Sequence, residues 1–178
     1  KETFSPHQAA RLIARGLRRA LNARLILVPV ADGGDGTLDA LRASIGGREV
    51  RVTVTGPLRT PVRAGYLRAG RTAVIEMAKA SGLKLVPPDR RDPLITTTRG
   101  TGELIAHAYR SGARRILLGV GGSATVDGGV GALEVVTPEM ARCITILCDV
   151  RNPLLGPRGA ARVFGPQKGA TPEKVRLL

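Results

Sequence analysis

Aromatic residues and cysteines are scarce in this sequence, and long apolar runs are missing. Only 2% of the 178 residues are aromatic and none is tryptophan, so little is available to stack on single-stranded nucleic acid. Two cysteines cannot build a disulfide-rich secreted domain. Cys143 and Cys148 lie five residues apart at the two ends of an apolar run that is typical of a buried strand. Odd spacing places their side chains on opposite faces of that strand, so both are predicted to be small core residues. No apolar run approaches the roughly 18–20 residues that span a bilayer.

Positive charge is in excess, with 28 Lys and Arg against 14 Asp and Glu and a net charge of +14. Such an excess favours a nucleic-acid partner, but blocks of five or six basic residues do not occur. The densest cluster lies on the polar face of a predicted helix and is interpreted as solvated surface: Arg11, Arg15, Arg18 and Arg19. We therefore expect neither nucleic acid nor a membrane as partner.

The apolar patterns predict a mixed α/β protein. A capping box from Ser5 to Gln8 begins a helix that extends to about Leu21, and the apolar run 25–30 is typical of a strand covered on both faces. Alternating patterns predict antiparallel hairpins over 49–55, 62–67 and 72–77. Buried strands are predicted over 114–120 and 144–150, with helices over 101–109 and from Thr171.

Three glycine-rich loops follow predicted strands, which is where open α/β sheets bind ligands. The first, Ala-Asp-Gly-Gly-Asp-Gly-Thr over 31–37, offers Asp32 and Asp35 to a metal ion or a hydroxyl proton. Three glycines allow the backbone to approach a ligand closely. The alternative is a tight strand-to-helix turn in which one Asp caps the helix.

The second loop spans 119–129 and is a candidate phosphate cradle, with backbone N–H groups, two hydroxyls and Asp127 placed for a cation. It also contains the relaxed dinucleotide fingerprint Gly-x-Gly-x-x-Ala at Gly119, Gly121 and Ala124. A nicotinamide-dependent oxidoreductase is therefore an alternative, which requires a surrounding βαβ unit.

The third loop begins at Asp149, contains Asn152 and leads to Lys168 in a second glycine-rich segment. A metal-binding carboxylate, a polar orienting group and a compact positive charge are the parts that phosphoryl transfer needs. The alternatives are an Asx-Pro turn for Asn152 and a surface lysine for Lys168. His7 and His107 lack nearby metal-ligating partners and are interpreted as helix-surface residues.

Five blocks, taken together and in order, resemble the bacterial glycerate kinase family: 31–37, 75–83, 96–105, 121–129 and 148–170. The resemblance implies phosphorylation of D-glycerate by ATP and Mg²⁺ at the 2-hydroxyl in the cytoplasm, with 3-phosphorylation as the alternative. It also implies two domains: the start of an incomplete Rossmann-like domain over 1–46, and a second mixed α/β domain with antiparallel hairpins over 47–178. A homo-oligomer and a non-enzymatic nucleic-acid binder remain open.

The resemblance also implies site residues. Three are candidate catalytic residues, namely Asp32, Asp149 and Lys168, and two are candidate Mg²⁺ ligands, namely Asp127 and Asp149. The remaining candidates would bind phosphate or substrate: Lys1, Gly33, Gly34, Thr37, Gly121, Gly122, Ser123, Thr125, Asn152 and Gln167. The family carries further segments before Lys1, between Glu134 and Val135 and after the last helix, so we expect the chain to be truncated or incomplete.

Overall fold

A single mixed sheet organises the part of the chain that the computed structural model describes, which is residues 4–28, 30, 33, 34 and 36–178. Its strands lie in sequence order: β1 Arg48–Thr55, β2 Pro61–Ala69, β3 Thr72–Glu76, β4 Arg115–Gly119 and β5 Ile144–Leu147. The pairs β1–β2 and β2–β3 are antiparallel, whereas β3–β4 and β4–β5 are parallel. The predicted mixed α/β class and antiparallel hairpins are thus confirmed, whereas the Rossmann-like part, the division after residue 46 and the truncation stay predictions.

Eight α-helices and three short 3₁₀ turns are described around this sheet. The helices are α1 Pro6–Ala20, α2 Thr37–Ile45, α3 Ala78–Ser81, α4 Arg99–Arg110, α5 Val130–Leu133, α6 Pro138–Ala141, α7 Ala160–Phe164 and α8 Pro172–Leu177. The 3₁₀ turns span Leu83–Leu85, Pro88–Arg90 and Pro166–Lys168. Within the described ranges, no helix combines the length and apolar character needed to cross a membrane.

The core lies between α4 and one face of the sheet. Tyr66, Ile75, Leu104 and Ile116 are completely buried there, and each such side chain contributes about 1.5–3 kcal/mol. Gly100 lets the start of α4 approach β1, because a Cβ at this position would overlap the carbonyl oxygen of Thr55.

The first helix begins as its sequence predicts but does not bury its apolar face. Ser5 Oγ accepts a hydrogen bond from the Gln8 backbone, and Gln8 Oε1 accepts one from the Ser5 backbone, which completes the capping box. Ile13 is nevertheless 64% exposed. A 3.6-residue period determines which side chains share a face, whereas burial depends on what packs against that face.

The predicted strand over 25–30 is wrong for the residues that the structure describes there. Residues 25–28 and 30 adopt no strand conformation, and Ile26 is 79% exposed. A strand is stable only when neighbouring strands accept and donate its backbone hydrogen bonds. The five described strands pair with one another and not with this segment.

The prediction that both cysteines are small core residues is also wrong. The predicted strand 144–150 ends at Leu147 and is the edge strand of the sheet. Cys148 follows it and is exposed, whereas Cys143 precedes it and is half-buried. An apolar, β-branched stretch predicts a strand equally well at an edge and in the centre, so the pattern did not reveal the exposure.

Candidate active site

Glycine-rich segments meet at the edge where the parallel strands β3, β4 and β5 end. Gly121 N donates a hydrogen bond of 3.1 Å to the carbonyl oxygen of Gly33, which joins the first loop to the second. A Cβ at Gly121 would lie 2.8 Å from Gly34 Cα, and a Cβ at Gly33 would lie 2.5 Å from the Leu147 carbonyl oxygen. Gly33 also has φ +87°, a conformation that favours glycine. Glycine is therefore required at Gly121, where the two loops touch, and at Gly33, where the first loop passes the end of β5.

Glu76, at the end of β3, fixes the helix that follows the first loop. Gly36 is the N-cap of α2 and has no side chain to cap the helix, but Glu76 Oε1 accepts a 2.7 Å hydrogen bond from Leu38 N. The Glu76 side chain is completely buried, and its Oε2 lies 3.7 Å from Lys79 Nζ. Thr37 Oγ1 donates to the Gly34 carbonyl at 2.8 Å, so Thr37 holds the loop itself. Sequence reasoning did not select Glu76 as a candidate residue, because its hydrogen-bond partner Leu38 is distant in the chain.

Hydrogen bonds from a buried hydroxyl and from backbone groups of neighbouring segments hold the second loop. Thr96 Oγ1 donates to the carbonyl oxygen of Ala124 at 3.1 Å, and Ala124 N donates to the carbonyl oxygen of Ser81 at 2.9 Å. Leu83 N donates to the carbonyl oxygen of Gly122 at 2.9 Å. The loop is thereby attached to two separate segments of the chain.

Lys168 is a buried cation and not a surface lysine. The residue is 8% exposed, and its Nζ donates hydrogen bonds of 2.7 Å to Ser123 Oγ and to the Thr125 carbonyl oxygen. Burial lowers the pKa of the Lys168 ammonium to about 8, an effect that the negative charge of Asp127 partly opposes. The ammonium therefore stands at the second glycine loop with incomplete charge compensation.

A pocket of about 300 Å³ opens between the second and third loops. Asp149 is exposed and lines this pocket together with the glycine loop and Lys168. The lining is Leu83, Val120, Gly121, Gly122, Ser123, Leu147, Cys148, Asp149, Val150, Phe164, Gln167 and Lys168. Six of the predicted site residues thus share one pocket: Gly121, Gly122, Ser123, Asp149, Gln167 and Lys168.

Other predicted site residues lie away from this lining. Asn152 Nδ2 donates to the Arg158 carbonyl oxygen at 3.1 Å, six residues further along its own exposed loop, and the Asx-Pro turn stays a prediction. Thr125 is buried and faces Lys168 through its carbonyl group. Lys1 and Asp32, which the sequence also predicts as site residues, lie outside the described residues.

Asp127 is held by four hydrogen bonds. Its Oδ2 accepts bonds from Thr98 N at 2.8 Å, from Thr98 Oγ1 at 2.7 Å and from Gly131 N at 3.3 Å. Its Oδ1 accepts one from Gly129 N at 3.3 Å. The role of Asp127 as a Mg²⁺ ligand stays a prediction.

The dinucleotide fingerprint lacks the structural context that it requires. In a dinucleotide-binding loop a helix begins within the motif, but α5 begins only at Val130 and has four residues. Gly121 N is occupied by the carbonyl oxygen of Gly33, and Ala124 is buried. The glycines here serve close packing between two loops.

Together, the sheet and this edge define an α/β protein with a pocket at the carboxyl ends of its parallel strands, lined by glycine loops and a buried lysine. The model of the glycerate kinase family matches residues 1–142 and 133–178. The chain belongs to the glycerate kinase family.

Three relatives illustrate the similarity. A glycerate kinase of Bacillus subtilis is 45% identical over 212 residues, covering 100% of this chain and 56% of the relative. A glycerate 2-kinase of Escherichia coli is 44% identical, covering 96% of this chain and 54% of the relative. A crystal structure of a protein described as glycerate kinase 2 from Salmonella typhimurium LT2 superposes with a TM-score of 0.81 at 44% identity, covering 99% of this chain and 57% of that one.

The chain spans about half the length of the curated relatives it matches. The two family matches meet at 133–142, and the Bacillus subtilis alignment is longer than the 178 residues of this chain. The extra segment expected between Glu134 and Val135 stays a prediction. Here a short link joins α5 to α6, in which Glu134 pairs with Arg99 at 2.6 Å.

Proposed function

We propose that this chain carries the phosphate-binding part of an enzyme that transfers the terminal phosphoryl group of ATP to the 2-hydroxyl of D-glycerate. The observation that carries the proposal is the buried Lys168 ammonium, 2.7 Å from Ser123 Oγ, in a pocket that also contains Asp149. Family membership supplies the class of reaction. A fixed cation next to a glycine loop is the arrangement that neutralises phosphate oxygens during transfer.

In the proposed reaction the glycerate hydroxyl oxygen forms a bond to the terminal phosphorus. The bond from that phosphorus to the bridging oxygen breaks, and ADP leaves with the electron pair. Lys168 and Ser123 bind the phosphate oxygens and hold the transferred group in place. The hydroxyl proton passes to a carboxylate, for which Asp149 is the described candidate in the pocket. Asp32 remains a second candidate by sequence.

The residues at the pocket fit a magnesium ion that is held mainly by ATP. No group of three or more Cys, His, Asp or Glu side chains that could hold a metal occurs in the described part of the chain. Mg²⁺, however, is usually held by one or two carboxylates together with substrate phosphates. The exposed Asp149 carboxylate would hold the ion, which when bound neutralises charge on the phosphate oxygens. A carboxylate that holds the ion is a poor proton acceptor, so in that case Asp32 is the candidate for the hydroxyl proton.

Phosphorylation at the 2-position is proposed because a relative at 44% identity is named a glycerate 2-kinase. Use of ATP as co-substrate also favours a cytoplasmic location. ³¹P and ¹³C NMR of the product distinguish 2-phosphoglycerate from 3-phosphoglycerate directly. Formation of the 3-isomer would replace the proposed regiochemistry and leave the class of reaction unchanged.

The reaction is tested by ADP release from Mg²⁺–ATP in the presence of D-glycerate, with L-glycerate as a control for stereochemistry. Lys168→Ala should reduce the rate by about 100-fold or more, because it removes the charge that faces the phosphates. Lys174→Ala is the matched control, since Lys174 pairs with Asp92 outside the pocket lining. Equal loss in both variants, or ADP release independent of D-glycerate, would contradict the proposal.

A further inference from the structure

We propose that Thr98 and Asp127 are positioning residues, and that this Thr98–Asp127 pair holds the second glycine loop in the geometry that binds phosphate. The inference rests on the proposed function, because it concerns the residues that hold the same proposed phosphate-binding pocket in shape. Neither residue lines that pocket, so both would act through Ser123, Thr125 and Lys168.

The Thr98 hydroxyl connects three segments of the chain. It donates to Asp127 Oδ2 at 2.7 Å and accepts a hydrogen bond from Ala132 N at 2.9 Å. Thr98 is the N-cap of α4 and is 4% exposed. One buried hydroxyl therefore joins the start of α4, the second glycine loop and α5.

The Asp127 carboxylate fixes the end of the loop. It accepts hydrogen bonds from the backbone of Thr98, Gly129 and Gly131 in addition to the Thr98 hydroxyl. Gly129 has φ +83°, in the left-handed region, and its N–H is one of the groups that Asp127 holds. Hydrogen bonds to an ionised carboxylate are stronger than those between neutral groups, so Asp127 is well suited to hold the turn.

The pair reaches the proposed phosphate site through a short piece of backbone. Thr125, whose carbonyl oxygen accepts from Lys168 Nζ, lies two residues before Asp127 in the chain. Thr96 Oγ1 holds the neighbouring Ala124 carbonyl, so the backbone is fixed on both sides of Thr125. The charge of Asp127 also favours the protonated form of Lys168. Loss of the pair should release the carbonyl and hydroxyl that orient the ammonium.

The test compares Thr98→Val, which removes the hydroxyl at nearly constant shape, with Thr98→Ser, which keeps it. Thr101→Val is the matched control, because Thr101 is also a buried threonine and lies in α4. Its hydroxyl is hydrogen-bonded to Ser81 Oγ at 2.8 Å and not to Asp127. Calorimetry measures Mg²⁺–ATP affinity, and NMR hydrogen exchange of the Gly131 amide reports on the loop.

Thr98→Val should weaken Mg²⁺–ATP binding and accelerate Gly131 exchange, each by about tenfold. Thr98→Ser and Thr101→Val should stay within about twofold of the wild type in both measurements. A folded Thr98→Val variant that binds Mg²⁺–ATP as tightly as the wild type would overturn the inference. If the wild-type chain binds no Mg²⁺–ATP, the proposed function fails. Unchanged hydrogen exchange of the Gly131 amide in Thr98→Val would instead overturn the role of the Thr98–Asp127 pair.

Asp127→Asn provides a second variant in case Thr98→Val does not fold. It should weaken Mg²⁺–ATP binding to a similar extent, and the double variant should be little worse than either single one, because the two residues act as one unit. The Mg²⁺ concentration for half-maximal ATP binding should stay the same in all variants. A raised Mg²⁺ requirement in Asp127→Asn alone would show a metal ligand and overturn the positioning role.

Discussion

Binding of Mg²⁺–ATP should weaken around pH 8, because the proposed phosphate-binding cation loses its proton there. Burial lowers the pKa of Lys168 from 10.5 to about 8. This shift corresponds to about 3 kcal/mol of lost preference for the charged form, at about 1.36 kcal/mol per pKa unit. Lys168 is 8% exposed, so solvent screens little of this cost.

The size of the effect follows from the fraction of protonated lysine. With a pKa of about 8, roughly 90% of the Lys168 side chains are charged at pH 7 and roughly 10% at pH 9. If only the charged form binds phosphate, affinity should fall about tenfold between these two pH values. Phosphate groups contribute little to the change, since their last pKa is about 6 and they are already about 90% ionised at pH 7.

Calorimetric titrations with Mg²⁺–ATP from pH 6.5 to about 9.5 test this prediction. Lys168→Arg should flatten the profile even if it binds more weakly, because a guanidinium stays charged throughout this range. Cys148→Ser changes another residue of the same pocket lining, is the matched control, and should leave the pH profile unchanged. A wild-type affinity that is constant to pH 9.5 would refute the reasoning.

The lowered pKa of Lys168 should also make the free energy of unfolding depend on pH. Because the pKa of Lys168 is lower in the folded than in the unfolded chain, the unfolded chain binds more protons between pH 8 and 10.5. The free energy of unfolding should therefore rise with pH across this window, by up to about 3 kcal/mol. Denaturant unfolding of the wild type and Lys168→Met at several pH values measures this contribution. It is the difference between the two proteins in how steeply the free energy of unfolding rises with pH.

Three further predictions concern other residues of the site. Glu76→Ala should lower the free energy of unfolding by about 1–3 kcal/mol, since Leu38 N loses its acceptor; an unchanged denaturation midpoint would contradict this. Iodoacetamide should modify the exposed Cys148 before the half-buried Cys143, and Mg²⁺–ATP should protect Cys148; mass spectrometry of digests reports both, and absent protection would place ATP elsewhere. Asp149→Asn should reduce turnover by about 100-fold or more, as measured by ADP release, and near-normal rates would remove Asp149 from the mechanism.

Local patterns were sufficient for much of the fold. The capping box of α1 uses residues three apart in the chain, and the hairpins β1–β2 and β2–β3 pair neighbouring segments whose alternation is visible in the sequence. The position of glycine loops after β4 and β5 likewise follows from short stretches. Such features depend on nearby residues, so a single sequence contains the information that determines them.

The residues that support the site were not predictable in the same way. Glu76 accepts from Leu38, Thr96 donates to Ala124 and Thr98 donates to Asp127, and each pair is far apart in sequence. A buried glutamate or threonine has no local pattern that identifies its partner. The strand predicted over 25–30 is absent at residues 25–28 and 30 for the related reason that a strand needs neighbours that the sequence does not specify.

By itself, the sequence determined the class of elements, the family resemblance and the chemical types that gather in the three loops. Only the tertiary structure decided that Lys168 is buried against Ser123, that Asp149 faces the same pocket and that Asp127 is turned toward Thr98. The physical reason is that burial and hydrogen-bond partners arise from contacts between distant segments. The scarcity of aromatic residues and cysteines excluded classes of protein, whereas the position of one buried lysine supports a particular site.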